Sequence, residues 1–214
     1  MSRAGLIALL FGVAVGPSVG GCGGDSGLAP GSPFAIEVAS VSLGERAGFG
    51  ESDLPGIVLG PPRGGGLTQG SLDTLSLGVG GSIVVELGVT VVDGQGTDFI
   101  VFENAFQFGG TDIFAEPGFV SVSEDGEVFT EFPCDPESSE RLGCAGVAPV
   151  FANADENDID PTNPATAGGD AFDLASIGVT RARFVRIVDA GISGGFGTDN
   201  AGFDLDAVAV VHGE

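Results

Sequence analysis

Short runs in which apolar and polar residues alternate, separated by glycine-rich stretches, make up most of this 214-residue chain. A period of two residues is typical of β-strands that bury one face. Gly88 separates two of the runs and predicts a β-bulge. No run has the length and period of a long helix. The predicted strands cover residues 34–43, 82–87, 89–92, 98–103, 119–123, 128–132, 183–188 and 204–211.

The connections between these strands carry turn and loop signals. Glu124-Asp125-Gly126-Glu127 links two alternating runs and predicts a hairpin. Residues 46–70 and 133–167 are long and rich in Gly, Pro or polar side chains, so we predict loops there. Many short strands joined by long loops predict an all-β fold, namely a jelly-roll β-sandwich.

The N-terminal segment indicates export. Arg3 precedes an apolar run, Ala4–Val15, which is too short to span a bilayer as a helix and has the form of a signal peptide. The residues Val19-Gly20-Gly21-Cys22 resemble the lipobox of bacterial lipoproteins. That resemblance implies cleavage before Cys22 and lipidation of its thiol and new amino group.

The lipoprotein resemblance also divides the chain. Residues 1–21 are then a signal peptide, 22–33 a flexible tether from the lipid anchor, and 34–214 a single β-sandwich domain. Gly23 follows the cysteine, which by analogy with Gram-negative lipoproteins implies the outer membrane or cell surface. The alternative is an ordinary signal peptide that is cleaved nearby.

Charge excludes several classes of partner. The chain has 30 acidic residues, and its seven basic residues are all arginines, for a net charge of −23. Phosphate binding needs clustered basic residues, so we exclude nucleic acid and an anionic membrane surface. The membrane contact that we expect is the lipid anchor alone. The acidity fits a solvated exterior, metal ligands, or both.

Cys134 and Cys144 remain as a pair once Cys22 is assigned to lipidation. Nine residues separate them in a polar loop. In an oxidising compartment we expect a local disulfide, worth about 2–3 kcal/mol through loop-closure entropy.

The residue types present support catalysis poorly. His212 is the only histidine and lies near the C-terminus, where we expect it to be solvated. With this single histidine and no lysine, serine- and cysteine-based triads, histidine-based zinc sites and lysine nucleophiles are excluded. A glycosidase with paired carboxylates is formally possible, but no spacing singles out an acid and a nucleophile. We therefore predict that the protein is not an enzyme.

Carboxylate and amide side chains stand where predicted strands begin or end. Asp204 and Asp206 are two residues apart, so on one strand they would point to the same face. Calcium takes about six to eight oxygen ligands, and we predict a structural calcium site. The alternative is that these acids are solvated and cap turns. The favoured ligands are Asp73, Glu103, Asn104, Asp204 and Asp206, and Asp170 and Asp173 form a second candidate set.

Arginine and phenylalanine have mostly structural interpretations. Arg183 and Arg186 face opposite sides of one predicted strand, and we expect a salt bridge within the sheet rather than ligand recognition, with Asp204 or Asp206 as candidate partners. Arg63, in a loop of Gly and Pro, is the candidate contact for an anionic ligand. Four phenylalanines are expected to fill the core: Phe106, Phe108, Phe114 and Phe119.

Five segments match a recognisable set of motifs. They are Gly60–Gly66, Gly70–Gly78, Asp98–Asn104, Gly168–Leu174 and Gly202–Val208. The set, notably Asp-Phe-Ile-Val-Phe-Glu-Asn and Gly-Gly-Asp-Ala-Phe-Asp-Leu, resembles a family of exported bacterial proteins usually called only cell surface proteins. The resemblance implies a surface location and carries no established activity.

A more distant resemblance concerns the C-terminal half. Val120–Phe129, Ala182–Ile187 and Leu205–Val210 are similar to a hairpin and two strands of discoidin-like domains. This implies the galactose-binding-like jelly-roll fold. The sugar-stacking aromatic residues of that family are not identifiable here, and Trp and Tyr are absent, so lectin activity is not implied.

Together these features predict a non-catalytic, lipid-anchored cell-surface protein, a calcium-stabilised binding or adhesion module whose partner is a cell-surface glycan or an envelope protein. A purely structural envelope protein and a carboxylate-based glycan hydrolase are the alternatives. A groove lined by Arg63 and exposed phenylalanines favours the first, and two carboxyls about 5–9.5 Å apart in a cleft favour the hydrolase.

Overall fold

A computed structural model describes residues 28–192 and 202–214, so the predicted signal peptide and Cys22 lie outside the described residues. No helix in the described ranges is long and apolar enough to cross a membrane. The strands in these ranges are β1 (Ala35–Ser42), β2 (Leu75–Ser76), β3 (Ser82–Val92), β4 (Phe99–Phe102), β5 (Phe106–Phe108), β6 (Asp112–Phe114), β7 (Gly118–Ser123), β8 (Thr130–Glu131), β9 (Asp170–Phe172), β10 (Arg181–Asp189), β11 (Asp204–Leu205) and β12 (Ala207–Val210). Short 3-10 helices cover Glu51–Asp53, Gly56–Val58 and Leu174–Ile177.

Most of the strands form two antiparallel sheets that share a core. The larger sheet has the order β1-β3-β10-β7-β8 and the smaller one β12-β4-β9. Two short pairs, β11 with β2 and β5 with β6, complete the strand pairing in the described residues. The buried core includes Val85 and Val185 from the larger sheet and Phe99 and Val208 from the smaller one. The all-β sandwich predicted from the alternation is confirmed.

β4 is buried on both faces, which explains its uninterrupted apolar sequence. Phe99 and Val101 belong to the main core. Ile100 and Phe102 belong to a second buried cluster that includes Val150 and Ala152. Val150 and Ala152 belong to the predicted loop 133–167. This loop therefore covers the face of the smaller sheet that points away from the main core.

The irregularity predicted at Gly88 is present within one continuous strand. β3 runs unbroken through Gly88, but its register against β10 shifts around this residue. A Cβ at Gly88 would lie 2.4 Å from the carbonyl oxygen of Ser32, so the neighbouring chain approaches too closely for a side chain. The Gly31 N–H donates to the Gly88 carbonyl at 2.8 Å, so the end of the predicted tether contacts the domain.

The hairpin predicted around Asp125 is present, with a shorter second strand than expected. β7 pairs with β8 across it. The Asp125 carboxylate accepts hydrogen bonds from the backbone N–H groups of Glu127 and Val128, at 2.9 and 3.0 Å. These bonds hold the start of the predicted strand in the turn, so pairing begins only at Thr130.

A disulfide joins Cys134 and Cys144, as the sequence predicts. Their Cα atoms are 4.7 Å apart. Cys144 is buried, so the bond fastens the loop that follows β8 to the body of the domain.

Candidate metal centre

Four oxygen-bearing side chains meet where β4 ends: Glu103, Asn104, Glu116 and Asp204, here called the acidic cluster. Glu103 and Asn104 directly follow β4, and Glu116 lies just before β7. β12 pairs antiparallel with β4, so the segment before β12, which includes Asp204, passes the end of β4. Carboxylate oxygens of the three acids lie within 4.8 Å of one another.

The carboxylates of the acidic cluster are largely withdrawn from water. Glu103 continues the alternation of Phe99 and Val101 into the end of the sandwich and is 2% exposed. Glu116 is 4% exposed. Burying an ionised carboxylate is costly unless it is paired or binds a cation.

Three buried oxygens of the cluster have no hydrogen-bond partner among the described residues. They are Glu103 Oε2, Asn104 Oδ1 and Asp204 Oδ1. An unsatisfied buried polar atom costs about 1–3 kcal/mol, and more when it is charged. Three such atoms in one cluster of like charge indicate a site built for a positively charged ligand.

Other oxygens of the cluster accept hydrogen bonds from cluster members and from neighbouring residues. The Asp204 N–H donates to Glu103 Oε1 at 3.4 Å, and Asn104 Nδ2 donates to Asp204 Oδ2 at 3.3 Å. The Gly202 N–H donates to the Glu116 carboxylate. Glu103, Asn104 and Asp204 are thereby oriented while one oxygen of each is left unpartnered.

The electrostatics of the cluster disfavour three bare negative charges. Burial raises the pKa of Glu103 well above its ordinary value, and the charges of Asp204 and Glu116 raise it further. Burial, followed by the charges of Asp204 and Asp189, raises the pKa of Glu116 to about 8. Burial also raises the pKa of Asp204, against hydrogen bonds that lower it. Charges 4.8 Å apart repel by about 3 kcal/mol at an effective dielectric constant of about 20.

The donor set fits calcium best. Three carboxylates and one amide offer up to seven oxygens, and calcium takes about six to eight at about 2.3–2.6 Å. Zinc prefers histidine and cysteine, and magnesium prefers a small octahedral site that keeps several waters. Of the predicted calcium ligands, Glu103, Asn104 and Asp204 are together here.

Asp206 and Asp73, predicted to share this site, lie around Arg63 instead. Both carboxylate oxygens of Asp206 accept from the Arg63 backbone N–H, at 3.0 and 2.9 Å. The Arg63 guanidinium donates to Asp73 at 2.8 Å. Leu205 and Val208 both reach the main core although they are three residues apart, because the strand breaks between β11 and β12. The expectation that the two aspartates of this segment share one face was wrong.

Arg63 lines a polar groove of about 510 Å³, beside Gln69 and Asn153. Its guanidinium also donates to Asp155 at 2.8 Å, and its side chain is 37% exposed. A ligand can therefore reach it. The sequence predicts Arg63 as the contact for an anionic ligand, and the structure pairs its guanidinium with the carboxylates of Asp73 and Asp155.

Asp170 and Asp173, the second predicted set, do not form a site together. Oδ2 of Asp170 accepts from the N–H groups of Gly146 and Val147, at 2.7 and 3.0 Å. Burial raises the pKa of Asp170 to about 7, against these hydrogen bonds. Asp173 instead caps a 3-10 helix by accepting from the Ala175 N–H.

Two features of the acids and the histidine were missed from the sequence. Glu116 follows the short apolar run Ile113-Phe114-Ala115, which was not predicted as a strand, and only the folded chain brings it to Glu103. His212 was expected to be solvated, but its Nδ1 lies 2.9 Å from Oδ1 of the fully buried Asp98. Asp98 also accepts from the N–H groups of Gly94 and Leu174, so this carboxylate is satisfied.

The strand arginines do not pair with Asp204 or Asp206. Arg183 forms a salt bridge with Glu86 at 3.0 Å on the neighbouring β3. Arg186 donates to Ser121 and lies over the Phe129 ring. A salt bridge within the sheet is therefore present, as expected, but the partner is Glu86 and not Asp204 or Asp206.

The four phenylalanines expected in the core lie nearer the surface. Phe106, Phe108, Phe114 and Phe119 are half-buried. Phe106 stacks on Phe114, with ring centroids 5.2 Å apart. Core positions are occupied by Phe99, Phe132, Phe172 and Phe203 instead.

Neither protein-family models nor curated proteins gave a match to this chain.

Proposed function

We propose that this chain is a non-catalytic, calcium-stabilised β-sandwich, exported and held at the cell surface by a lipid on Cys22, where it acts as a binding or adhesion module. The observation that carries the calcium half is the set of unpartnered, buried oxygens on Glu103, Asn104 and Asp204. The export half rests on the lipobox-like residues before Cys22 and on the disulfide.

A structural role for the cation follows from where its ligands stand. They come from the end of β4, the segment before β7 and the start of β11. Asp204 lies about 100 residues after Glu103 in the sequence, so a shared cation would add a bond between distant parts of the chain to the hydrogen bonds already there. A ligand that binds only the folded state stabilises that state by mass action.

A glycan hydrolase is the weaker alternative. Glu103 is 2% exposed and Glu116 is 4% exposed, so a glycosidic bond would have little access to these acids.

The groove at Arg63 is the proposed contact surface for a glycan or envelope protein. It combines guanidinium donors with the acceptors of Asp73, Asp155 and Glu156, the mixture that hydroxyl-rich ligands need. Leu72 on its rim is 81% exposed and adds an apolar contact.

Two experiments test the two halves of this proposal. Isothermal titration calorimetry of the chelator-treated protein with calcium should give one site per chain, with a much weaker response to magnesium. A screen against glycans and envelope fractions, with and without calcium, should find binding that Arg63→Ala abolishes. Absence of calcium binding would refute the first half, and binding that survives Arg63→Ala would refute the assigned surface.

A further inference from the structure

The β5–β6 hairpin, residues 106–114, is inserted directly between ligands of the acidic cluster. Glu103 and Asn104 precede it and Glu116 follows it. Ala105 and Ala115, which flank its two strands, are buried. The hairpin therefore leaves and re-enters the domain beside the proposed calcium ion.

The hairpin has its own two-stranded sheet. β5 and β6 pair with each other and with no other described strand. A backbone hydrogen bond from the Gln107 N–H to the Leu67 carbonyl, 2.7 Å long, connects it to the loop beside it. An isolated two-stranded hairpin is at best marginally stable in water. Its order therefore depends strongly on how its two ends are held.

The two ends of the hairpin carry like charges. Carboxylate oxygens of Glu103 and Glu116 lie within 4.8 Å of each other, a distance at which two ionised carboxylates repel. Without a cation, ionised side chains at this distance push the two ends apart. With a cation between them, the same charges draw the ends together.

We infer that the acidic cluster is a calcium-dependent clasp that closes the base of the β5–β6 hairpin. Calcium binding orders the hairpin and fixes the stacked pair Phe106 and Phe114 on the surface of the domain. This inference rests on the proposed calcium site. Its consequence is that the order of the β5–β6 hairpin depends on the calcium concentration.

Hydrogen-exchange mass spectrometry of the full chain tests the clasp. Calcium should slow exchange in peptides that cover residues 105–115 by about tenfold or more, which corresponds to about 1.4 kcal/mol of local stabilisation. Exchange in peptides from β3 and β10 should change much less, because these are interior strands of the larger sheet. Glu116→Gln should abolish the protection, and Glu131→Gln, which removes an exposed acid on β8, should retain it.

Titration calorimetry on the same samples tests calcium binding separately from the ordering of the hairpin. If calcium binds but exchange in the hairpin is unchanged, the clasp is refuted and the calcium site stands. If calcium does not bind, both are refuted.

Linkage supplies a second test that does not touch a ligand. A clasp that orders the hairpin is itself tightened by a stable hairpin, because coupling between two equilibria is reciprocal. Phe114→Ala removes the stacked pair and should weaken calcium binding by about three- to tenfold. Phe129→Ala, on the far side of the β7–β8 turn, should leave calcium affinity unchanged. Equal affinities for the two variants would overturn the inference.

Discussion

Replacing Glu103 by glutamine should change stability in opposite directions with and without calcium. The amide keeps the size of the side chain and removes its charge. In chelator at about pH 8, the wild-type carboxyl either opposes Glu116 and Asp204 or takes up a proton at a free-energy cost. The amide avoids both, so we expect the calcium-free variant to be more stable by about 1–3 kcal/mol.

Calcium should reverse that order. At a calcium concentration of about 100 times Kd, the wild type gains about 2.7 kcal/mol. For a chain of this size, about 2–4 °C of Tm per kcal/mol gives a rise of about 5–11 °C. Glu103→Gln removes one charged ligand, so its Tm should rise little at the same calcium concentration.

Differential scanning calorimetry or circular dichroism is the suitable assay, because the chain has no Trp and no Tyr to report unfolding by absorbance or fluorescence. Glu131→Gln on exposed β8 is the matched control, since it makes the same chemical change away from the cluster. It should behave like the wild type in both conditions. A Glu103→Gln protein that is less stable in chelator and still gains the full calcium shift would refute the reasoning.

Three further predictions follow from the same geometry. Gly70→Ala should weaken calcium binding by about tenfold in a titration, because the alanine Cβ would lie 2.6 Å from Asn104 Oδ1 and must displace that oxygen. Unchanged affinity would contradict the assignment of Asn104 as a calcium ligand. Asp206→Asn should lower Tm equally with and without calcium, since this carboxylate holds the Arg63 backbone and not the cation; loss of the calcium shift would return Asp206 to the ligand set. In chelator, Tm should fall as pH rises from about 5 to about 8, because the raised pKa values of Glu103 and Glu116 mean that the folded state binds protons more tightly than the unfolded state. Calcium should remove this fall. A chelated protein that becomes more stable over that range would contradict the raised pKa values of the two acids.

The fold was largely predictable because alternation is a local signal. Most strands of the two main sheets follow runs that were predicted as strands, and β4 was recognisable from four apolar residues in succession. The three-residue β9 was not predicted. The same alternation correctly carried Glu103 to the end of a buried strand. It failed at Asp206, because the break between β11 and β12 shifts the phase of the side chains and leaves no mark in the residue pattern.

The complete ligand set was not predictable for a related reason. Glu116 reaches Glu103 only because the β5–β6 hairpin brings the chain back to the end of β4, a closure that depends on tertiary packing. His212 was misjudged in the same way, since its partner Asp98 is 114 residues away. Local pattern identified which residue types were available, whereas the pairing of distant segments decided which of them meet.

The most direct test of the calcium site is crystallography of the full chain in millimolar calcium, with anomalous data collected at a long wavelength. We predict one anomalous peak about 2.3–2.6 Å from Glu103 Oε2, Asn104 Oδ1 and Asp204 Oδ1, with Glu116 completing the site. An ordered acidic cluster without a peak, or a peak only elsewhere in the molecule, would contradict this account.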